Sequence, residues 1–302
     1  MNIFKNIKKI SYLEIILIIL LFSLLFILLT QNPKENFVSN NKEFIRVTDQ
    51  DIYDKFYSNI YDELLYDPNK NNFEIDIIFK KTNKNYNVLD VGCGTGHHVN
   101  LINDLNISVI GLDNSKYMIE KAKQNYPKCK FLVGCMLNSM LFPSNSFTHI
   151  TCLYFTIYYI KNKKQFFENC FKWLEGGGIL ILHLVDIQQF DPILPNALYM
   201  KKSDISYKNS ESFIEFDELN YKSDFQLDNN INSKDLPNAT FKETFKYNNN
   251  NKTRINEHNL FMNSQKNILS IARELGFIMQ SVQELKNIKY DYNYIYTLQK
   301  PY

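Results

Sequence analysis

No C-x-x-C pair occurs in this sequence, and its five cysteines (Cys93, Cys129, Cys135, Cys152 and Cys170) are an odd number. That pattern excludes a paired-cysteine zinc site and a small disulfide-stapled scaffold. Four of the five fall on or beside candidate strands or in a candidate helix, where small buried hydrophobes of an α/β core belong. An excess of one charge is also lacking. The chain has 34 Lys and Arg against 32 Asp and Glu, a formal net charge of +2. No bulk attraction to nucleic acid follows, and no basic stripe supplies a local one. The G-x-G-x-x-G fingerprint of a dinucleotide site is missing too. A nicotinamide oxidoreductase is therefore the weakest of the enzyme readings.

What is present is ample for a core. The 302 residues are 45% apolar, enough for one or two domains. The run Val88-Leu89-Asp90-Val91-Gly92-Cys93-Gly94-Thr95-Gly96-His97-His98-Val99 reads as a buried strand, a tight glycine turn and the start of a helix. Alternate glycines let the backbone approach a ligand with no Cβ in the way. The helix that follows aims free N–H groups at the turn. A second strand ends at Asp113, about 20 residues on, where a carboxylate can accept hydrogen bonds from both hydroxyls of a ribose.

These residues resemble motifs I and II of the class I S-adenosylmethionine-dependent methyltransferases of small-molecule type. Further pieces follow in the family's order. Leu141 to Ile150 is similar to its "LPFPDNSFDxV", with Thr148 in place of the usual Asp. Glu175-Gly176-Gly177-Gly178 is similar to "L-x-P-G-G", read here as a left-handed glycine cap on the preceding helix. Leu275-Gly276-Phe277 is similar to "AGF". The resemblance implies an α/β, Rossmann-like seven-stranded sheet with its last strand antiparallel and helices on both faces. It implies S-adenosyl-L-methionine as cofactor, held by Asp90, Gly92, Cys93, Gly94, Thr95, Gly96, Asp113, Asn114, Met118, Cys135, Met136 and Leu153. Cys135 stands where the family usually has an acid for the adenine amine, and a thiol is a poor acceptor.

The remaining expectations concern the ends. Ile15 to Leu29 is apolar apart from Ser23, and with the residues before it reaches the roughly 20 needed to cross a bilayer. Residues 1–44 thus read as a single-pass membrane anchor (about 10–30) and a polar linker, with a cleaved signal peptide as the rival. The side of the membrane is left open. Residues 45–302 read as the methyltransferase domain. A helix capped by Thr48 or Asp49 carries Tyr53, Tyr57 and Tyr61 at i+4 spacing. By the resemblance Tyr57 or Tyr61 lies near the methyl group. Residues from about 190 to 260 read as an antiparallel β cap, dense in Phe and Tyr, over the substrate side. Tyr154, Thr156 and Tyr158 follow the fourth strand, where family members face substrate. Tyr154, His183 and His258 are the catalytic candidates. The acceptor is expected to be a small or lipid-like, membrane-associated molecule and not nucleic acid. The alternative is a membrane-tethered scaffold with this fold and no activity.

Overall fold

The computed structural model describes residues 44–79, 85–190, 209–228, 237–249 and 252–302. The predicted anchor and its linker up to Glu43 lie outside the described residues. Among the described residues no helix is long and apolar enough to cross a membrane.

Strands β2 (Asn87–Val91), β3 (Ser108–Asp113), β4 (Lys130–Val133), β5 (Phe147–Cys152), β6 (Leu174–Val185), β11 (Ile278–Glu284) and β12 (Asn293–Gln299) form one sheet in the order β11-β12-β6-β5-β2-β3-β4. The pairs β2–β3, β2–β5, β3–β4 and β5–β6 are parallel. The last strand, β12, is antiparallel to both of its neighbours. The expected seven-stranded sheet is therefore present.

Successive side chains of a strand face opposite ways, and β2 shows what covers each face. Leu89 and Val91 join the cluster of helix α6 (Lys163–Trp173), whose Phe166, Phe167, Cys170 and Trp173 are fully buried. Ile268 and Ala272 of α7 (Gln265–Glu274) join the same cluster. Val88 packs instead with Ile75 of α2 (Pro68–Ile78), Val99 and Ile102 of α3 (His97–Asp104) and Ile119 of α4 (Lys116–Asn125). Helices thus cover both faces. Each buried aromatic removes roughly 150–250 Å² from water, so the α6 face is a main anchor of the sheet.

A second sheet has the order β1-β10-β9-β8-β7, from β1 (Phe44–Thr48), β7 (Asn209–Glu215), β8 (Leu219–Leu227), β9 (Ala239–Tyr247) and β10 (Thr253–Leu260). The four cap strands are antiparallel, as expected. The fifth, β1, pairs parallel with β10. The sequence gives no strand there, because nothing local marks a strand that a distant partner creates.

Two helix ends differ from the sequence reading. The first long helix, α1, runs Lys55–Leu65, with the Asp54 carboxylate capping the Tyr57 N–H at 3.0 Å. Thr48 instead precedes a 3-10 turn at Asp49–Ile52. The glycine run after α6 is not a helix cap. Leu174 is already extended, and the glycines open β6. Gly177 has positive φ, and a Cβ on it would lie 2.6 Å from the ring of Tyr302, so both the backbone and the packing call for glycine.

Candidate functional site

The glycine turn joins β2 to α3 at the carboxyl end of the parallel strands. Gly92 and Gly94 have φ of 70° and 54°, which L side chains rarely adopt. A Cβ on Gly92 would lie 2.5 Å from Thr156 Cγ2, so the segment after β5 is seated directly on the turn. Gly94 faces the ring of Tyr61, 3.6 Å from where a Cβ would be. Asp113, at the end of β3, accepts the Gly94 N–H at 3.0 Å and the Ser115 N–H at 2.8 Å, one on each oxygen. Burial pushes its carboxyl above the usual range, against the pull of those N–H groups. Asp90 is buried beneath the turn and accepts the Thr151 hydroxyl at 2.7 Å. Burial raises its pKa to about 6.

Helix α1 roofs the turn. Asp62 accepts the Thr95 hydroxyl at 2.5 Å and stands 3.0 Å from His97 Nε2. Burial opposes its ionisation, but the bonds from His97 and Thr95 hold it below the ordinary carboxylate range. Tyr66 stacks on His97, with ring centroids 3.7 Å apart.

Below Tyr154 lies a buried charged cluster. The Lys70 ammonium bonds to Glu74, sits 3.6 Å over the Tyr154 ring, and is 1% exposed. Glu74 Oε2 is 2.8 Å from His98 Nε2. His183 Nε2 is 3.0 Å from Asn293 Oδ1. Burial, then the Lys70 charge, lower the His183 pKa to about 3, so this imidazole is neutral. The Tyr154 hydroxyl donates to Asn71 Oδ1 at 2.9 Å, and its backbone is held at a φ of 51°.

The inner face of the cap sheet carries a buried polar patch among its apolar side chains. Glu243 accepts four donors: Tyr57 and Tyr221 hydroxyls at 3.0 and 2.8 Å on Oε1, and Asn256 Nδ2 and His258 Nε2 at 3.1 and 2.8 Å on Oε2. Glu243, Asn256 and His258 are each at most 1% exposed. Four donors fill the four lone-pair sites of a carboxylate. The other ring nitrogen of His258, Nδ1, is 2.9 Å from the Tyr159 hydroxyl. Arg254 is anchored by Asp54 at 2.7 Å and by Asn256.

The predicted residues therefore fall into three groups. Asp90, Gly92, Cys93, Gly94, Thr95, Gly96 and Asp113 come together at the turn. Met118 and Leu153 are buried, Cys135 and Met136 half-buried, and the exposed Asn114 amide donates to Gln50 at 2.8 Å. Tyr154 and His183 share the Lys70 cluster. His258 lies in the cap network together with Tyr57, whose hydroxyl is committed to Glu243 rather than to the turn. Tyr61 occupies the place over Gly94. Tyr158 is fully buried, and its hydroxyl accepts the Val185 N–H at 2.9 Å. Thr148, in place of the family's Asp, clasps the Asn87 backbone. Glu243 and Tyr159 were missed. The signal for Glu243 was its place between Phe241 and Phe245 at a period of two. The signal for Tyr159 was helical spacing: Thr156 and Tyr159 share one face of the short helix α5 (Thr156–Tyr159).

Residues 88–178 match the model of a methyltransferase domain family. A putative methyltransferase of Invertebrate iridescent virus 6 is 30% identical over 209 residues, covering 66% of this chain and 74% of that protein. A probable S-adenosylmethionine-dependent methyltransferase of Mycolicibacterium smegmatis is 29% identical over 105 residues, 35% of this chain and 40% of that protein. Among solved structures, an S-adenosylmethionine-dependent methyltransferase from Clostridium acetobutylicum has the same fold, with a TM-score of 0.61 at 18% identity over 82% of this chain and 98% of that one. The CcbJ methyltransferase from Streptomyces caelestis gives 0.64 at 12% identity over 83% and 98%. This chain belongs to the class I S-adenosylmethionine-dependent methyltransferases, and S-adenosylmethionine is its cofactor.

Proposed function

We propose that the acceptor of the methyl group is a small molecule held between the cap sheet and the strand ends that carry the glycine turn. The residues at the turn fit the cofactor. Gly94 leaves open the space that a Cβ would fill, and Asp113 retains lone pairs for hydroxyls after accepting two N–H groups. On this reading Asp90 to Gly96 border the methionine end, Asp113 binds the ribose, and Met118, Cys135, Met136 and Leu153 border the adenine. When bound, the cofactor supplies a methyl activated by a sulfonium. This chain supplies positioning and exclusion of water. His258, with Glu243 behind it, is the catalytic group we favour. Tyr154 and His183 act through the Lys70 cluster as positioning residues.

The observation that carries the reading is α5. Its first residue, Thr156, is seated on Gly92, and its last, Tyr159, touches His258 of the cap. An acceptor on this face meets the turn and the cap together. The test is incubation of the full chain with methyl-labelled S-adenosylmethionine and either a water-soluble metabolite mixture or extracted membrane lipids. Label in the soluble fraction is expected. Label in lipid alone overturns the small-molecule reading. We further propose that the apolar segment Ile15–Leu29 holds the protein at a membrane as a single-pass anchor. Retention in the pellet after alkaline carbonate extraction is expected, and release of the intact chain overturns it.

A further inference from the structure

We propose that Tyr159, His258 and Glu243 form a proton relay that deprotonates an amine acceptor, making the substrate class a primary or secondary amine that arrives as an ammonium. This rests on the reading that the acceptor lies under the cap.

The chain of contacts has one direction. An ionised Glu243 only accepts hydrogen bonds, so His258 Nε2 carries the proton that it receives at 2.8 Å. Nδ1 is then the free acceptor, and the Tyr159 hydroxyl donates to it at 2.9 Å. The Tyr53 ring lies edge-on to the Tyr159 ring, with centroids 6.0 Å apart. A phenol oxygen can accept hydrogen bonds while it donates, so the Tyr159 oxygen keeps lone-pair capacity for an acceptor N–H. This is the logic of a nucleophile–histidine–carboxylate triad, with the substrate's own nitrogen as nucleophile and a phenol passing its proton. The layering supports it. Glu243 and His258 are buried behind, while Tyr53, Tyr61 and Tyr159 are half-buried in front.

The surroundings select a cation. Ring faces attract ammonium ions. The foremost charged groups acting on these three phenols are Asp49, Asp62, Asp113 and Glu243, all carboxylates. The groups facing His258 are Glu243 and Phe241 on β9, Tyr159 on α5, Tyr53 just before α1 and Tyr57 in its first turn. Arg254 is withdrawn from the face by its pairing with Asp54.

In the step, the ammonium gives a proton to the Tyr159 oxygen as the Tyr159 proton moves to His258 Nδ1. The imidazolium so formed is held by Glu243. The freed nitrogen lone pair then forms the N–C bond while the S–C bond breaks, and its electrons stay on sulfur as a neutral thioether. The proton leaves His258 for solvent with the product.

Two measurements on the full chain test this. First, ¹⁵N-histidine NMR without cofactor should show His258, assigned by its loss in His258→Gln, as the neutral Nε2–H tautomer, with Nδ1 shifted by Tyr159→Phe. An Nδ1–H tautomer overturns the relay. Second, label from S-adenosylmethionine should enter ethanolamine, benzylamine and glucosamine but not ethylene glycol, benzyl alcohol or glucose. With these amines Tyr159→Phe and His258→Gln should lower kcat about 10²-fold at neutral pH. The deficit should shrink as the pH approaches each amine's own pKa, with KM within about threefold. A loss equal at every pH marks a structural role and overturns the relay. So does label in the alcohols, or in none of the probes while calorimetry shows cofactor bound. Absence of cofactor binding instead overturns the functional reading beneath it.

Discussion

Asp113 receives the Gly94 N–H on one carboxylate oxygen at 3.0 Å, tying the end of β3 to the middle of the glycine turn. The Ser115 N–H, at 2.8 Å, takes the other oxygen. The carboxylate is thereby fixed in position before any ligand binds. Asp113→Asn replaces one acceptor oxygen by a donor and faces one of these N–H groups with it. A hydrogen bond to a charged group contributes roughly 1.5–3 kcal/mol. Cofactor affinity by calorimetry should therefore fall about 10- to 100-fold in Asp113→Asn, and further in Asp113→Ala. An unchanged affinity would remove Asp113 from the cofactor site.

Gly92 and Thr156 make the second testable pair. Gly92→Ala places a methyl 2.5 Å from Thr156 Cγ2 at a φ of 70°. Overpacking and left-handed strain each cost about 1–3 kcal/mol. The melting temperature should drop by several degrees, since about 1 kcal/mol moves a domain of this size by roughly 2–4 °C. Gly92→Ala/Thr156→Ala removes the two closest contacts, leaving the Thr156 Cβ at 3.2 Å and the backbone strain, so it should recover up to about half of the loss. No recovery would mean that α5 does not rest on the turn.

The legible and illegible parts of the molecule divide by range. The turn was readable because Asp90, the glycines and Asp113 act within a few residues of their own strand ends. The cap strands are legible from alternation, whereas the antiparallel last strand is legible only through the family resemblance. The polar face of the cap was not. Arg254, Asn256 and His258 face inward and Ile255 is only half-buried, the reverse of what hydrophobic alternation predicts. Their placement depends on Glu243, paired opposite Asn256 across β9 and β10. The family resemblance points to Tyr154, Thr156 and Tyr158 after the fourth strand, but it does not fix which side chains of that segment share a face. One helical turn there moves the face to Thr156 and Tyr159. Tyr57 and Tyr61 are one turn apart on α1. Only the partners above them, Glu243 and Gly94, decide which one meets the turn.

Asp90 gives a pH signature. Its folded pKa of about 6 lies above the ordinary 3.8, because burial disfavours the charged form. For a carboxyl raised in this way, the favourable contribution is complete below pH 4 and is lost as pH rises through 6. The shift corresponds to about 3 kcal/mol. Asp90→Asn keeps an acceptor for the Thr151 hydroxyl and never ionises. In cofactor-free protein it should be more stable than the parent by up to about 3 kcal/mol at pH 7, and equal to it near pH 4, by urea unfolding. A difference independent of pH would show that Asp90 has the same pKa in the folded and the unfolded protein, and so is not raised by burial.

Glu74 shifts the opposite way. Burial opposes its charge, but the Lys70 ammonium and the bond from His98 overcome that and bring its pKa to about 2 from the ordinary 4.5. For a carboxyl lowered in this way, stability is fully present above about pH 5 and is lost as pH falls through 2. Lys70→Met removes the charge 3.6 Å above the Tyr154 ring and leaves Glu74 buried beside the neutral His183. Breaking one half of a buried pair costs about 3–5 kcal/mol, so urea unfolding at pH 7 should register a loss of that size. The deficit should also shrink as pH falls, because a buried Glu74 without its ammonium partner takes up a proton at a pH where the parent carboxylate stays ionised. Lys70→Met/Glu74→Gln has no buried charge left to compensate, and it should recover most of the loss. If the double variant is as unstable as the single one, the Lys70 stem and the Tyr154 ring hold this region together by packing, and the ion pair adds nothing to it.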